Sequence, residues 1–221
     1  MHITHAIPLN GIPSSLRPFL LAEVAATGQK DIILCSSVLR EMIANPNVIP
    51  EYRALLDDAG LRFCDSHAPY GRYADLNCPV AELRPVMLAQ QRLAIEIAAM
   101  LGVKTLAVHV GESGFLEWSL DRLHAFFLDS LEALLPVAEQ FGVVLCVENI
   151  WFPTCAPDRL LDALERFPLP FAGRLLRFGP RQHRLRTERR AREPHRPRIP
   201  PARAGARMER PRAGRFAAPR G

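Results

Sequence analysis

Short apolar runs alternate with longer stretches of helical periodicity over most of the chain. Each apolar run predicts a β-strand, and the stretch after it has the apolar spacing of a helix. The predicted strands are 3–9, 31–37, 61–69, 105–111 and 143–149, with a sixth at 172–178. The predicted helices are 14–27, a pair at 38–44 and 50–59, then 79–101, 119–141 and 157–167. This βα alternation predicts a parallel sheet with helices packed outside it.

Two strands indicate which kind of parallel sheet this is. In TLAVHVG (105–111) a small-and-polar face ends in His109, and in VVLCVEN (143–149) the matching face ends in Glu148. The opposite faces are branched and would meet the helices. Because the active sites of (β/α)8 barrels are built at the C-terminal ends of the strands, this pattern predicts an α/β fold of the (β/α)8 TIM-barrel type. A doubly wound open sheet is the alternative, but no glycine-rich phosphate loop follows any predicted strand.

Composition divides the chain after Gly173. Residues 1–173 carry a net charge of −8, whereas 174–221 hold 16 Arg, 3 Glu and seven Pro, a net charge of +13. We therefore expect an incomplete barrel of about six βα units over 1–173 and a disordered basic tail over 174–221. The tail has no apolar period, and its like charges repel one another.

The lack of a recognisable targeting signal, together with the pattern of cysteines, predicts a cytoplasmic protein with no membrane partner. The N-terminus lacks the basic flank and apolar run of a signal peptide, and no stretch is apolar for the roughly 18–20 residues of a membrane span. The five cysteines form no CxxC pair. Cys35, Cys64 and Cys146 each lie in an apolar run, so we expect them to be buried hydrophobic residues rather than disulfide or zinc-knuckle partners.

Polar side chains stand at three predicted strand ends. They are Asp65 with His67, then His109, then Glu148 with Asn149. A carboxylate at the end of a buried strand is costly unless it is paired or binds metal. Two imidazoles and a carboxylate at successive strand ends therefore suggest a divalent-metal site with a nearby acid/base group. Purely structural roles are the alternative.

Three motifs resemble the xylose isomerase-like barrel superfamily, and within it the sugar phosphate isomerase/epimerase group. They are SHAPYGRYADLN (66–77), AVHVG (107–111) and VENIWFP (147–153). The resemblance implies that Glu148 is a metal ligand and candidate acid/base group. It implies that His67 and His109 line the site, holding substrate or, in the DNA-repair branch, metal. Asn149 would orient Glu148 or a substrate hydroxyl.

The implied activity is metal-dependent isomerisation or epimerisation of a small-molecule sugar or sugar phosphate. A proton leaves the carbon next to a carbonyl, and a divalent metal (Mn, Mg, Co or Zn) stabilises the enediolate. His5 on the first strand is a further candidate for the pocket. The loop aromatics Phe115, Trp118 and Trp151 would either cover a sugar ring or pack on the barrel rim.

The chain departs from this family after the sixth predicted strand, where the family has Asp-x-Gly-His. The chain instead reads LLRFGPRQH over 175–183. A shift of one base allows Cys-Phe-Asp-Ser-Gly-His-Ala-Asn there, and the same frame allows two later family motifs, at 200–204 and 215–221. We therefore hypothesise that the residues from about 174 onward are a frameshifted translation. Without the later ligands, the chain is expected neither to retain the metal nor to be active.

Three rival functions remain open at this point. An endonuclease IV-like zinc DNA-repair enzyme would use His67 and His109 as ligands, although the acidic body and the VENIWFP motif argue against it. A non-catalytic protein could bind nucleic acid non-specifically through the arginine-rich tail. A regulatory remnant could bind a sugar without turning it over.

Overall fold

A computed structural model describes residues 4–111 and 117–167 of the chain, and the structural statements below concern these residues. Several predictions concern residues outside these ranges. They are the sixth strand at 172–178, the basic tail at 174–221 with its frameshift hypothesis, and the site aromatic Phe115.

Along the described part each of the five strands is followed by one α-helix, except that two helices follow β2, which gives six in all. The strands are β1 (His5–Ala6), β2 (Asp31–Leu34), β3 (Arg62–His67), β4 (Thr105–His109) and β5 (Val144–Glu148). The helices are α1 (Arg17–Ala26), α2 (Ser36–Ala44), α3 (Ile49–Ala59), α4 (Arg84–Met100), α5 (Leu120–Phe141) and α6 (Pro157–Arg166). Short 3-10 turns lie at Leu9–Gly11, Ser14–Leu16, Pro46–Val48 and Pro153–Cys155. Each predicted element within the described ranges is present.

The five strands form one parallel sheet in the order β1-β2-β3-β4-β5. A doubly wound sheet reverses its strand order at a switch point, whereas a (β/α)8 barrel adds each strand beside the previous one. The strand order therefore confirms the prediction of an α/β fold of TIM-barrel type and excludes the doubly wound alternative for the described strands.

The two faces of the sheet differ in burial as their sequences predict. Leu106 and Val108 of β4 face the helices and are 0% and 1% exposed. Thr105, Ala107 and His109 lie on the opposite face and are only partly buried. The hydrophobic core therefore lies between the sheet and its helices, while the other face carries the polar groups.

Local signals set where the helices begin and end. Gly60 and Gly142 end α3 and α5 in the left-handed conformation, at φ of 67° and 62°. The hydroxyl of Ser119 accepts from the backbone N–H of Arg122 at 3.2 Å and caps the start of α5. The strand predicted to reach residue 37 ends at Leu34 instead, because the serine pair after Cys35 starts α2.

Burial of the cysteines follows the prediction only in part. Cys146 is buried, at 1% exposure, and so are Cys78 and Cys155. Cys35 and Cys64 are only partly buried. Cys64 lies where the register between β2 and β3 shifts, and Cys35 lies between the end of β2 and the start of α2. All five thiols are free.

Within 4–111 and 117–167, no helix combines the length and the apolar character that crossing a bilayer requires.

Candidate functional site

Two imidazoles and one carboxylate meet at the C-terminal ends of β3, β4 and β5. Nε2 of His109 lies 2.8 Å from Oε2 of Glu148, and Nε2 of His67 lies 3.3 Å from the same oxygen. The strand register produces this meeting, because His109 and Glu148 are paired across β4 and β5, and His67 is paired with Ala107. Three of the predicted site residues are thus brought together.

These three residues offer one ligand atom each, and the three atoms lie within 4.8 Å of one another. Metal bonds of about 2.0–2.2 Å place neighbouring ligand atoms about 3 Å apart. The observed separations of 2.8 Å and 3.3 Å match that spacing. This group, His67, His109 and Glu148, is called the His-His-Glu group below.

The hydrogen bonding of His67 leaves its second nitrogen available to a cation. Nδ1 of His67 donates to the carbonyl oxygen of Ala68 at 2.8 Å, so Nδ1 carries the proton of the neutral ring. Its Nε2 then directs a lone pair at a carboxylate oxygen, and a second proton or a metal ion is needed between them. A ligating histidine usually has this arrangement, with its other ring N–H held by a carbonyl or a carboxylate.

The charge state of the group follows from these contacts. Hydrogen bonds from His109 and then His67 hold the pKa of Glu148 well below its usual range, against the opposing effect of burial. Burial acts to lower the pKa of His67, but the hydrogen bonds to Glu148 and Ala68, together with the nearby carboxylate charges, outweigh it and raise that pKa. A carboxylate kept ionised in this way is better suited to binding a cation than to accepting a proton.

Tyr70 covers the imidazoles, and sequence reasoning did not single it out. Its ring centroid lies 5.1 Å from that of His67 and 4.7 Å from that of His109. The segment that carries Tyr70 is fixed from two sides. Arg40 of α2 donates to the carbonyl oxygen of Tyr70. The buried amide of Gln91 on α4 donates to the carbonyl oxygens of Pro69 and Ala74, at 2.9 Å and 2.8 Å. The motif 66–77 contains Tyr70, but only the fold shows that its ring, 46% exposed, packs against the two imidazoles.

The other candidate residues have separate placements. Asp65 accepts from the hydroxyl of Thr105 at 2.5 Å and from the backbone N–H of Ser66 at 2.8 Å, a structural role between β3 and β4. Asn149 follows Glu148 directly and is half-buried. His5 is exposed and pairs with Ile32, which faces the helices, so it lies outside the His-His-Glu group.

The two described loop aromatics differ in exposure. Trp118 packs edge-on against Phe126 of α5, with ring centroids 5.4 Å apart, which is the rim packing that the sequence left open. Trp151 follows β5, is 76% exposed, and contacts the ring of Phe152.

The chain matches one family model, described as the xylose isomerase-like TIM barrel, over residues 23–180. No curated protein matches the chain.

Many solved structures share the fold. A D-tagatose 3-epimerase-like protein is 20% identical with a TM-score of 0.61, and the match covers 77% of this chain and 62% of that one. A xylose isomerase-like TIM barrel protein from Mycobacterium smegmatis, in complex with magnesium, is 16% identical with a TM-score of 0.57, covering 74% and 60%. A D-psicose 3-epimerase from Clostridium cellulolyticum H10, solved with D-tagatose, is 15% identical with a TM-score of 0.57, also covering 74% and 60%.

The chain spans less than two thirds of the length of each of these structures, and at such identities the similarity is one of fold. The family match covers more than half of the chain, and the strand order and strand-end residues agree with it. The chain therefore belongs to the xylose isomerase-like TIM barrel family.

Proposed function

We propose that this chain contains the metal-binding half of a sugar isomerase or epimerase. The observation that carries the proposal is the convergence of the His-His-Glu group at the C-terminal ends of three neighbouring strands. In barrels of this type that edge of the sheet holds the active site.

The donor set fits a divalent transition metal better than magnesium. Two imidazole nitrogens and one carboxylate oxygen suit Zn²⁺ or Co²⁺ and are acceptable to Mn²⁺, whereas Mg²⁺ prefers oxygen ligands. Three protein ligands leave coordination positions open for substrate oxygens. The expectation that the chain fails to retain a metal treated Glu148 as the one ligand present. With three donors converging, we propose that the chain binds one ion.

Several residues of this chain would have separate roles in the reaction. A bound divalent ion would polarise the carbonyl oxygen of the sugar and stabilise the negative charge that develops there. Glu148, which is kept ionised in this group, would hold that ion together with the two imidazole nitrogens. Asn149 would orient a sugar hydroxyl beside it, and Tyr70 would limit the access of water to the imidazoles.

Structural relatives support a sugar as the substrate. The D-psicose 3-epimerase was solved with D-tagatose, and another D-psicose 3-epimerase was solved in the presence of D-fructose. We propose a ketose or a ketose phosphate for this chain on that basis.

The test is metal-dependent sugar binding. Calorimetric titration of D-fructose and D-tagatose into the full chain should give a signal with Co²⁺ or Mn²⁺ and none after chelation. Turnover, followed by deuterium incorporation next to the carbonyl in D₂O, is expected to be absent. The reason is that the Asp-x-Gly-His motif, which the family has after its sixth strand, is missing from this chain after position 174. Sugar binding that is equally strong with the metal and after chelation would contradict the proposal.

One observation favours the DNA-repair alternative as a second candidate. Both imidazoles join Glu148 in one group, which is how the resemblance assigns His67 and His109 in the endonuclease IV branch. The net charge of −8 over 1–173 opposes binding to a phosphate backbone. Stoichiometric zinc after purification, together with cleavage of an abasic-site oligonucleotide, would replace the isomerase proposal with this one.

We also propose that the chain divides at residue 173 into the barrel segment and the arginine-rich segment 174–221. The change in charge from −8 to +13 supports the division. Reading the coding DNA across the codons for 171–178 tests it. A base whose removal restores Asp-Ser-Gly-His would support the frameshift. Confirmed codons would instead make the tail a real segment, and salt-dependent nucleic-acid binding lost on deletion of 174–221 would give it a role.

A further inference from the structure

Asp75 is a buried carboxylate next to the His-His-Glu group. Asp75 is only 1% exposed, although burying a carboxylate charge is costly unless other groups compensate for it. Its Oδ1 accepts from the backbone N–H of Gly71 at 2.9 Å and lies 3.7 Å from Nδ1 of His109. The carboxylate therefore stands behind the imidazole, on the side opposite Glu148.

The fold holds Asp75 in this position through the segment that follows it. Leu76 donates its backbone N–H to the carbonyl of His109 at 3.2 Å, and Asn77 donates to that of Val110 at 2.8 Å, so the segment runs along the end of β4. The approach is so close that a Cβ on Gly111 would lie 2.8 Å from the Cβ of Asp75. The position of Asp75 relative to His109 is thus fixed by backbone contacts.

Each imidazole of the group has an oxygen near its Nδ1, on the side away from Glu148, but the two oxygens act differently. For His67 the carbonyl oxygen of Ala68 holds the Nδ1 proton directly, at 2.8 Å. For His109 the separation of 3.7 Å from Asp75 is too long for a hydrogen bond, but the negative charge still favours a proton on Nδ1. With the proton there, the Nε2 lone pair faces Glu148 and is available to a metal ion.

We propose that Asp75 is a positioning residue, whose charge selects the tautomer and ring orientation of His109 in which Nε2 is the metal ligand. The inference rests on the proposed metal site, to which it adds a residue that touches neither metal nor substrate. Carboxylates that orient a ligating histidine in this way typically change metal affinity about 10- to 100-fold when they are mutated.

The experiment is a titration of Co²⁺ into the full chain and two variants. Asp75→Asn keeps the shape and the acceptor for Gly71 but removes the charge, and it should weaken Co²⁺ binding about 10- to 100-fold. Asp75→Glu keeps the charge and should bind more tightly than Asp75→Asn. Asp31→Asn is the matched control, because Asp31 pairs with the exposed Arg62 at the other end of the sheet, and its Co²⁺ affinity should equal that of the parent chain.

The outcomes separate the two proposals. If the parent chain binds no Co²⁺, the proposed function fails. If the parent binds Co²⁺ and Asp75→Asn binds it equally well, the inference about Asp75 is overturned while the metal site stands. Equal losses in Asp75→Asn and Asp75→Glu would also overturn it, since the charge would then not matter.

A measurement on the parent chain covers the case in which the variants do not fold. In the Zn²⁺-loaded chain, ¹⁵N shifts of the His109 ring should show a protonated Nδ1 and a ligated Nε2. The opposite assignment, with Nδ1 as the ligand, would contradict the role of Asp75.

Discussion

His109 and Glu148 are the last register pair of the β4–β5 ladder, and their side chains meet at 2.8 Å. In a parallel ladder, paired residues project from the same face, so two polar residues that each end a strand necessarily become neighbours. One strand further along the sheet, His67 reaches the same carboxylate oxygen. The metal-binding proposal follows from this register.

Removing the ring of Tyr70 should weaken metal binding without removing a ligand. The ring contacts both imidazoles, and such contacts contribute about 0.5–1.5 kcal/mol. Tyr70→Ala should therefore lower Co²⁺ affinity about 2- to 10-fold, measured by calorimetry. Tyr70→Phe keeps the ring and should match the parent chain. Equal losses in the two variants would indicate that the hydroxyl, and not the ring, matters.

Gly111→Ala should destabilise the fold strongly. Gly111 has φ of 129°, and an added Cβ would lie 1.9 Å from Oδ1 of Asn77. We expect a loss of more than about 2 kcal/mol in the free energy of unfolding, measured with urea. Gly28→Ala is the control. Its φ is also positive, at 82°, but nothing lies within 4 Å, so a smaller loss of about 1 kcal/mol is expected. Similar losses at both sites would contradict the close approach of 75–77 to β4.

Leu106→Ala tests the core between the sheet and the helices. Leu106 is fully buried on the helix-facing side of β4, and truncating such a residue costs about 2–5 kcal/mol in the free energy of unfolding. Phe19 on α1 is 73% exposed, so Phe19→Ala should change that free energy by less than about 0.5 kcal/mol. A small effect at Leu106 would place the core elsewhere.

The thiols should differ in reactivity according to burial. Cys78, Cys146 and Cys155 are at most 1% exposed, and burial raises the pKa of Cys155, so these three should resist a thiol reagent in the folded chain. Cys35 and Cys64 are partly exposed and should react first, with Cys64 the slower because burial raises its pKa too. Cys35→Ser should remove the fastest phase. Five equally fast thiols would contradict the packing.

The fold was largely predictable because its signals are local. Alternation along β4 and β5 gave both the faces and the strand-end residues, and glycines such as Gly60 and Gly142 marked the helix ends. The length of β1, two residues, was not predictable, because strand pairing depends on the neighbouring strand and not on the apolar run itself.

The site was only partly predictable, because its remaining contacts are long-range. The register shifts between Ile32 and Ile33, where β2 meets β3, and no alternation in either strand reveals such a bulge. Asp65 looked equivalent to His67 as a strand-end group, yet Thr105 engages its carboxylate. Tyr70 and Asp75 reach the imidazoles only through the path of the segment after β3, which is set by Gln91 and by the end of β4.

The most direct test of the central claim is a Co²⁺ titration of the full chain and of Glu148→Gln. The account predicts about one ion per chain for the parent, because three ligand atoms converge within 4.8 Å. In Glu148→Gln the charged ligand between the imidazoles is lost, and the affinity should fall by at least about 100-fold. Binding that is absent from the parent chain, or unchanged in Glu148→Gln, would contradict the proposal that His67, His109 and Glu148 form a metal site.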